Sequence, residues 1–283
     1  MSDSRGNPGA PPDAAWETPG IGGDTPDRRT VAADVRRALI EDVGDGDRTA
    51  RLVPEDARAC AVVLSREDCV VSARLWFNEV FAQLDSSVRI AWSVRDGECV
   101  CAGHTLCTLE GPARALLTGE RTALNFLQLL SGVATRTRRF VDATAGTRVQ
   151  ILDTRKTLPG LRTAQKFAVR CGGGHNHRMG LYDALLIKEN HIAACGSLGA
   201  AVCAARHACP NFPVEVEVED LEQLREALEA RVERVLLDNF DLESLRRAVT
   251  LTGGRARLEA SGGVRYEQVA AVAATGVDDI SIG

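Results

Sequence analysis

Ile151-Leu152 runs straight into Asp153-Thr154-Arg155-Lys156-Thr157, so two apolar residues deliver an Arg–Lys pair to the end of a strand-like segment. Gly172-Gly173-Gly174 then delivers His175, His177 and Arg178, and the apolar run Ala184-Leu185-Leu186-Ile187 ends on Lys188. One such cation reads as solvated surface charge. Repeated at the ends of successive apolar segments, they describe a pocket for an anion. Arginine grips a carboxylate through two parallel N–H bonds, whereas lysine acts as a point charge. Two arginines with lysine therefore suit a di- or tricarboxylate, or a carboxylate beside a phosphate. The chain carries 39 acidic against 34 basic side chains, a formal charge of -5. The positive charge is thus local, with no general pull toward nucleic acid or anionic lipid.

Acidic candidates face these cations. In Val214-Glu215-Val216-Glu217-Val218-Glu219 a period of two puts three glutamates on one face and the valines on the other. Either this is an edge strand with a solvated glutamate face, or the glutamates point into a charged interior, where they need cationic or metal partners. The neighbouring cationic strand ends favour the second. Glu217 and Asp238 then become candidates to hold a divalent cation through phosphate oxygens, as Mg²⁺ is commonly held. Ala260-Ser261-Gly262-Gly263 and Ser281-Ile282-Gly283 follow two late strand-like runs, and glycine-rich loops there make nests for phosphate. His-x-His has no zinc-protease spacing. Nine cysteines without a CxxC pair argue against structural zinc, the nearest approach being Cys99-x-Cys101. They read as reduced, mostly buried thiols of a cytosolic protein.

At 283 residues the chain holds two modest domains, or a barrel with an extra module. Residues 1–29 carry five of the ten prolines and almost no large apolar side chain, and are expected to be a disordered tail without a secretory signal. Structure is expected from Thr30 as N-cap, with Val31, Val35, Leu39 and Val43 on one helical face. Short β segments follow, with Asp96-Gly97 as a hairpin turn and one amphipathic helix through Trp76 and Phe81. A helix from Ala113 through Leu130 closes an α+β module over 30–132. From about Val133, strands alternate with helices, which implies a parallel sheet and favours a barrel whose chemistry sits at the strand carboxyl ends. The expected strands are Val149–Leu152, Ala184–Ile187, Val214–Val218, Val235–Leu237, Arg257–Ala260 and Asp279–Ile282, within a domain over 133–283.

These motifs together resemble the quinolinate phosphoribosyltransferase family. The resemblance covers about 35–283, through Glu41-Asp42-Val43-Gly44-Asp45-Gly46-Asp47, Glu120-Arg121-Thr122-Ala123-Leu124-Asn125, Asp153 to Gly160, Gly172 to Arg178, Lys188-Glu189-Asn190-His191, Glu215-Val216-Glu217, Leu237-Asp238-Asn239 and Ala260-Ser261-Gly262-Gly263. It implies an N-terminal α+β sandwich-like domain, an incomplete α/β barrel and homo-oligomers, either dimers or hexamers. The implied substrates are quinolinate and phosphoribosyl pyrophosphate, giving nicotinate mononucleotide, pyrophosphate and CO₂ in NAD synthesis. Arg155, His177, Arg178 and Lys188 would take the pyridine carboxylates, and Arg121 would reach in from a neighbouring subunit. Lys156, Glu217 and Asp238 would be catalytic, with Mg²⁺ near the two carboxylates. The 5-phosphate would lie on Ser261, Gly262, Gly263, Ser281 and Gly283. Family members continue for about another helix beyond the second phosphate loop, so a C-terminally truncated barrel is expected at Gly283. A molybdenum-transport-associated paralogue shares the barrel, but Lys188-Glu189-Asn190-His191 favours the quinolinate enzyme. A biotinyl-type carrier role fails because Asp96-Gly97 holds no lysine.

Overall fold

The computed structural model describes residues 25–283. The expected tail therefore falls outside the described residues over 1–24. Its last residues do not follow the expectation: helix α1 (Arg28–Val43) starts before Thr30, with the Asp27 carboxylate accepting from Arg29 N at 3.3 Å. An aspartate caps first-turn N–H groups as well as threonine does. Val31 and Val35 are buried on the expected face.

Two compact units are present. One combines the described N-terminal residues to 145 with 153–177. Its three-stranded sheet, in the order β1-β5-β3, contains β1 (Arg58–Leu64), β3 (Arg89–Trp92) and β5 (Thr105–Pro112), while β2 (Cys69–Val70) pairs with β4 (Cys99–Val100). The Asp96-Gly97 turn thus does not close a hairpin between its flanking strands. β3 pairs with β5, and the chain after the turn goes to β2 instead. The reason lies in helix α2 (Arg74–Leu84). Its N-cap residue, Ala73, sits at φ 88 and offers no capping oxygen, so Asp96 turns inward and accepts from Arg74 N at 3.2 Å. Burial raises the Asp96 pKa, with these hydrogen bonds and Arg74 opposing.

Helix α3 (Ala113–Ala143) runs well past Leu130, because Ala134, Thr137 and Phe140 keep the buried helical period going. Gly119 lets it approach α2, since a Cβ there would sit 2.7 Å from Phe81 and 2.8 Å from Leu84. Helix α4 (Arg162–Cys171) packs its Ala164, Phe167 and Ala168 into the same core as Trp76, Phe77, Phe126 and Leu130.

The second unit takes in 146–152 and 178–282. Its six parallel strands are β6 (Gln150–Leu152), β7 (Leu185–Ile187), β8 (Val214–Val218), β9 (Arg234–Asp238), β10 (Arg257–Ser261) and β11 (Asp279–Ser281). Helices α5 (Glu189–Cys195), α6 (Leu198–Ala208), α7 (Leu221–Glu229), α8 (Leu242–Thr252) and α9 (Tyr266–Ala273) separate them. The sheet order β6-β11-β10-β9-β8-β7 brings the last strand back to the first. That is barrel order with one ladder missing: among the described residues none joins β6 to β7. Valines 214, 216 and 218 and Glu215 are all buried, so β8 is a two-sided interior strand rather than an edge.

The cysteines differ from expectation. All nine are free, and five of them, Cys60, Cys99, Cys101, Cys195 and Cys203, are exposed. Small side chains on outward faces of strands and helices need no burial to be tolerated. Only Cys107 and Cys171 are buried, and burial pushes their thiols up to about 12 and about 11.

Candidate active site

In the first unit, Asp153 follows β6 in the chain and leads to Arg155 and Lys156. Arg155 is half-buried, and its Nε is buried without a hydrogen-bond partner. Lys156 is exposed, with its backbone N–H given to Thr154 Oγ1 at 3.0 Å. Gly283 lies beside it: a Cβ there would be 3.2 Å from Lys156 Cδ. The glycine triplet has a specific role in delivering His177. A Cβ on Gly172 would sit 2.5 Å from Ala134 O on α3, and Gly173 adopts φ +88. The Asp153 carboxylate accepts from His177 N at 2.9 Å and from Asn176 Nδ2 at 2.5 Å, and buried Lys166 pairs with it. The Asp153 pKa is nonetheless raised, because burial outweighs these partners. Arg121 is exposed on α3.

In the second unit, strand period two sets the arrangement. Lys188 follows β7 and pairs with Glu217 near the end of β8. Asp238 ends β9, accepting from Asn239 Nδ2 at 2.8 Å, and aligns with Ser261 at the end of β10. Four adjacent strands thus present Lys188, Glu217, Asp238 and Ser261 at their carboxyl ends. Arg178 Nη1 donates to Ala184 O at 3.4 Å. Asn239 N donates to Ser261 O at 3.1 Å, bringing the two strand ends so close that only glycine fits at 262. A Cβ there would meet Asn239 N at 2.7 Å, and Gly262 also holds φ +102. Gly263 follows at φ +62 with open space around it. Ser281 ends β11 with its side chain turned inward. The residue is buried and its hydroxyl donates to Glu259, so any phosphate contact of that loop falls to backbone.

One step below these strand ends is a charge network that sequence reading saw only as a glutamate face. Arg234, on β9, donates to Glu215 at 2.9 Å and to Glu259 at 2.5 Å, and pairs with Asp279 at 2.9 Å. Arg257 clamps Asp279 through two bonds of 2.6 and 2.8 Å. Burial works against the Arg234 charge, but Glu215, Glu259 and Asp279 outweigh it and raise its pKa. For Arg257 the hydrogen bonds to Asp279 raise it. The available signal was alternation: Arg257, Glu259 and Ser261 share one face of β10. Lys166, Asp153 and Asn176 gave no signal of this kind.

As for a metal, Glu217 and Asp238 are hard oxygen donors on one face of neighbouring strands, and Asp238 remains partly accessible. That donor set fits Mg²⁺ held jointly by two carboxylates and substrate phosphates.

The family model for the quinolinate phosphoribosyl transferase C-terminal domain matches residues 133–283, and the N-terminal domain model matches 47–131. A nicotinate-nucleotide pyrophosphorylase (carboxylating) of Mycobacterium leprae is 45% identical, over 88% of this chain and 90% of its own length. A probable enzyme of the same name from Bacillus subtilis is 42% identical, over 87% and 85%. Among solved structures, the nicotinate-nucleotide pyrophosphorylase from Francisella tularensis superposes with a TM-score of 0.91 at 43% identity, covering 94% of each chain.

Proposed function

This chain belongs to the quinolinate phosphoribosyltransferase family, and on that premise we propose how its own residues perform the family reaction. The reaction transfers phosphoribosyl from phosphoribosyl pyrophosphate to quinolinate with decarboxylation, giving nicotinate mononucleotide, pyrophosphate and CO₂. The relatives' names leave the molybdenum-associated paralogue without support. What supports the division of labour is the row of Lys188, Glu217, Asp238 and Ser261 at the carboxyl ends of four neighbouring parallel strands, where barrels place their chemistry.

Arg155, His177, Arg178 and Lys188 bind the two pyridine carboxylates and orient the ring nitrogen toward the ribose carbon. The nitrogen lone pair forms the new C–N bond as the C–O bond to pyrophosphate breaks, its electrons leaving with pyrophosphate. Lys156 stabilises that departing charge. Glu217 and Asp238 would hold Mg²⁺, which supplies charge neutralisation on the pyrophosphate oxygens when bound. The alkylated ring nitrogen is cationic, so the adjacent carboxylate leaves as CO₂ and the carbanion is stabilised by that charge until solvent protonates it. No side chain need act as general acid or base. The 5-phosphate meets the backbone of Ser261, Gly262, Gly263, Ser281 and Gly283, with the Ser261 side chain. We place the enzyme in the cytoplasm as a homo-oligomer, a dimer or hexamer, with Arg121 completing a neighbour's pocket. Among the described residues no helix is long and apolar enough to cross a membrane.

The test is CO₂ release from quinolinate, dependent on phosphoribosyl pyrophosphate; no release from the folded protein would refute the reading. Arg178→Lys keeps the charge but loses the fork, and should weaken quinolinate binding by about 2–5 kcal/mol while sparing phosphoribosyl pyrophosphate. Calorimetry showing unchanged quinolinate affinity would remove Arg178 from the site.

A further inference from the structure

We infer that Lys166, Asp153 and Asn176, none of which touches substrate in the scheme above, are positioning residues that fix Arg155, Lys156 and His177 relative to one another. The inference rests on the reading of Arg155, Lys156 and His177 as site residues. Three bonds converge on Asp153: its carboxylate receives the Lys166 ammonium, Asn176 Nδ2 at 2.5 Å and His177 N at 2.9 Å. Its own backbone N–H goes to His175 O at 3.1 Å. Lys166 closes the ring by donating to His177 O at 2.9 Å, and Asn176 Nδ2 donates to Lys166 O at 2.9 Å. The pair is sealed from water, with 1% and 8% of the two side chains exposed.

This arrangement ties the segment two residues before Arg155 to both backbone groups of His177. A buried ion pair is a poor device for stability, because desolvation offsets most of its attraction and apolar residues of equal volume often do better. What it supplies is register. Backbone pairing reaches only as far as an isolated bridge at His175, where Asp153 N bonds His175 O, and the Asp153 carboxylate extends that tie to Asn176 and His177, which lie outside any strand. Arg155 and His177, which must meet carboxylates of fixed geometry, need that register, since a misplacement of about 1 Å can cost roughly 100-fold in rate.

The variants are chosen so that folding and positioning separate. Lys166→Met with Asp153→Asn removes both charges at nearly constant volume, so no lone buried charge remains. Asn176→Ala leaves the ion pair and loosens only the loop. Each should keep its thermal midpoint near that of the parent, raise KM for quinolinate by about 10- to 100-fold, and leave KM for phosphoribosyl pyrophosphate nearly unchanged. Unchanged quinolinate KM in both variants overturns the inference. So does a fall in thermal midpoint with both KM values rising together, which would mark the cluster as structural only. Arg155→Lys is run in parallel. If it also binds quinolinate normally, the site reading itself fails; if it loses quinolinate while the other variants do not, only the positioning role fails.

Discussion

Arg234→Met tests the charge network of the second unit. In the parent, Glu215, Glu259 and Asp279 share Arg234 and Arg257, three carboxylates to two guanidiniums. The variant leaves three to one. Asp279 keeps the Arg257 clamp and Glu259 keeps the Ser281 hydroxyl, while Glu215, wholly buried, loses its guanidinium. Removing one partner of a buried pair costs about 3–5 kcal/mol. At about 2–4 °C per kcal/mol for a chain of this size, the thermal midpoint should fall by roughly 6–20 °C. The pH dependence gives the sharper reading. Carboxylates buried without their cation have folded pKa values raised above the unfolded ones. They bind more protons when folded, so their stabilising contribution is present below the unfolded values and is lost as pH rises through the folded ones. The variant's deficit against the parent in urea unfolding followed by circular dichroism should therefore be smaller at about pH 5 than at about pH 8. Adding Glu215→Gln should recover part of the loss at the higher pH. Equal midpoints for variant and parent at both pH values would refute the claim that these carboxylates depend on Arg234.

The metal assignment predicts that Glu217→Gln and Asp238→Asn raise the Mg²⁺ concentration for half-maximal rate with circular dichroism unchanged. A parent rate independent of Mg²⁺ would refute it. For Arg121, alanine should inactivate the enzyme without preventing assembly, and mixing it with inactive Lys156→Ala should restore activity. In a two-fold hybrid one pocket carries both defects and the other neither, so each hybrid dimer approaches about half of a parent dimer's activity, or about a quarter for a randomly exchanged equal mixture. No recovery despite verified subunit exchange would place Arg121 outside a neighbour's pocket.

How far the sequence could be read follows from what periodicity reports. It reports which face a residue is on, so the six strands, the glutamate face of β8 and the strand-end positions of Lys188, Glu217 and Asp238 were legible. It does not report partners. Whether Glu215 faced water or Arg234 depended on which strand lay beside β8, and the inward turn of Ser281 depended on Glu259 lying on the next strand. The Asp96-Gly97 turn was misread for the same reason: its local chemistry suits a hairpin, but a distant helix start lacking a cap recruited the aspartate. Lys166 was invisible, because a lysine on an amphipathic helix normally faces solvent and only the fold shows it aimed at Asp153.

Strand register explains why the floor beneath the strand ends is ionic rather than oily. On the face shared by Glu215, Arg234 and Arg257, the next step up the strands holds Glu217, Leu236, Glu259 and Asp279, and the step above that holds Asp238, Ser261 and Ser281. Period two forces whatever occupies the site layer to share its face with the layers below. Glu217 on the middle step and Asp238 at the top add negative charge to a face that already carries Glu215, Glu259 and Asp279. An apolar floor would be more stable by itself, but it would not balance that charge or bond Ser281. Arg234 and Arg257, placed lower on the same face, do both through the carboxylates they hold: Arg257 clamps Asp279, Arg234 bonds Glu259, and Glu259 accepts the Ser281 hydroxyl. The geometry of the loop after β11, where we propose the 5-phosphate to bind, is therefore set from below, by charges that no substrate needs to reach.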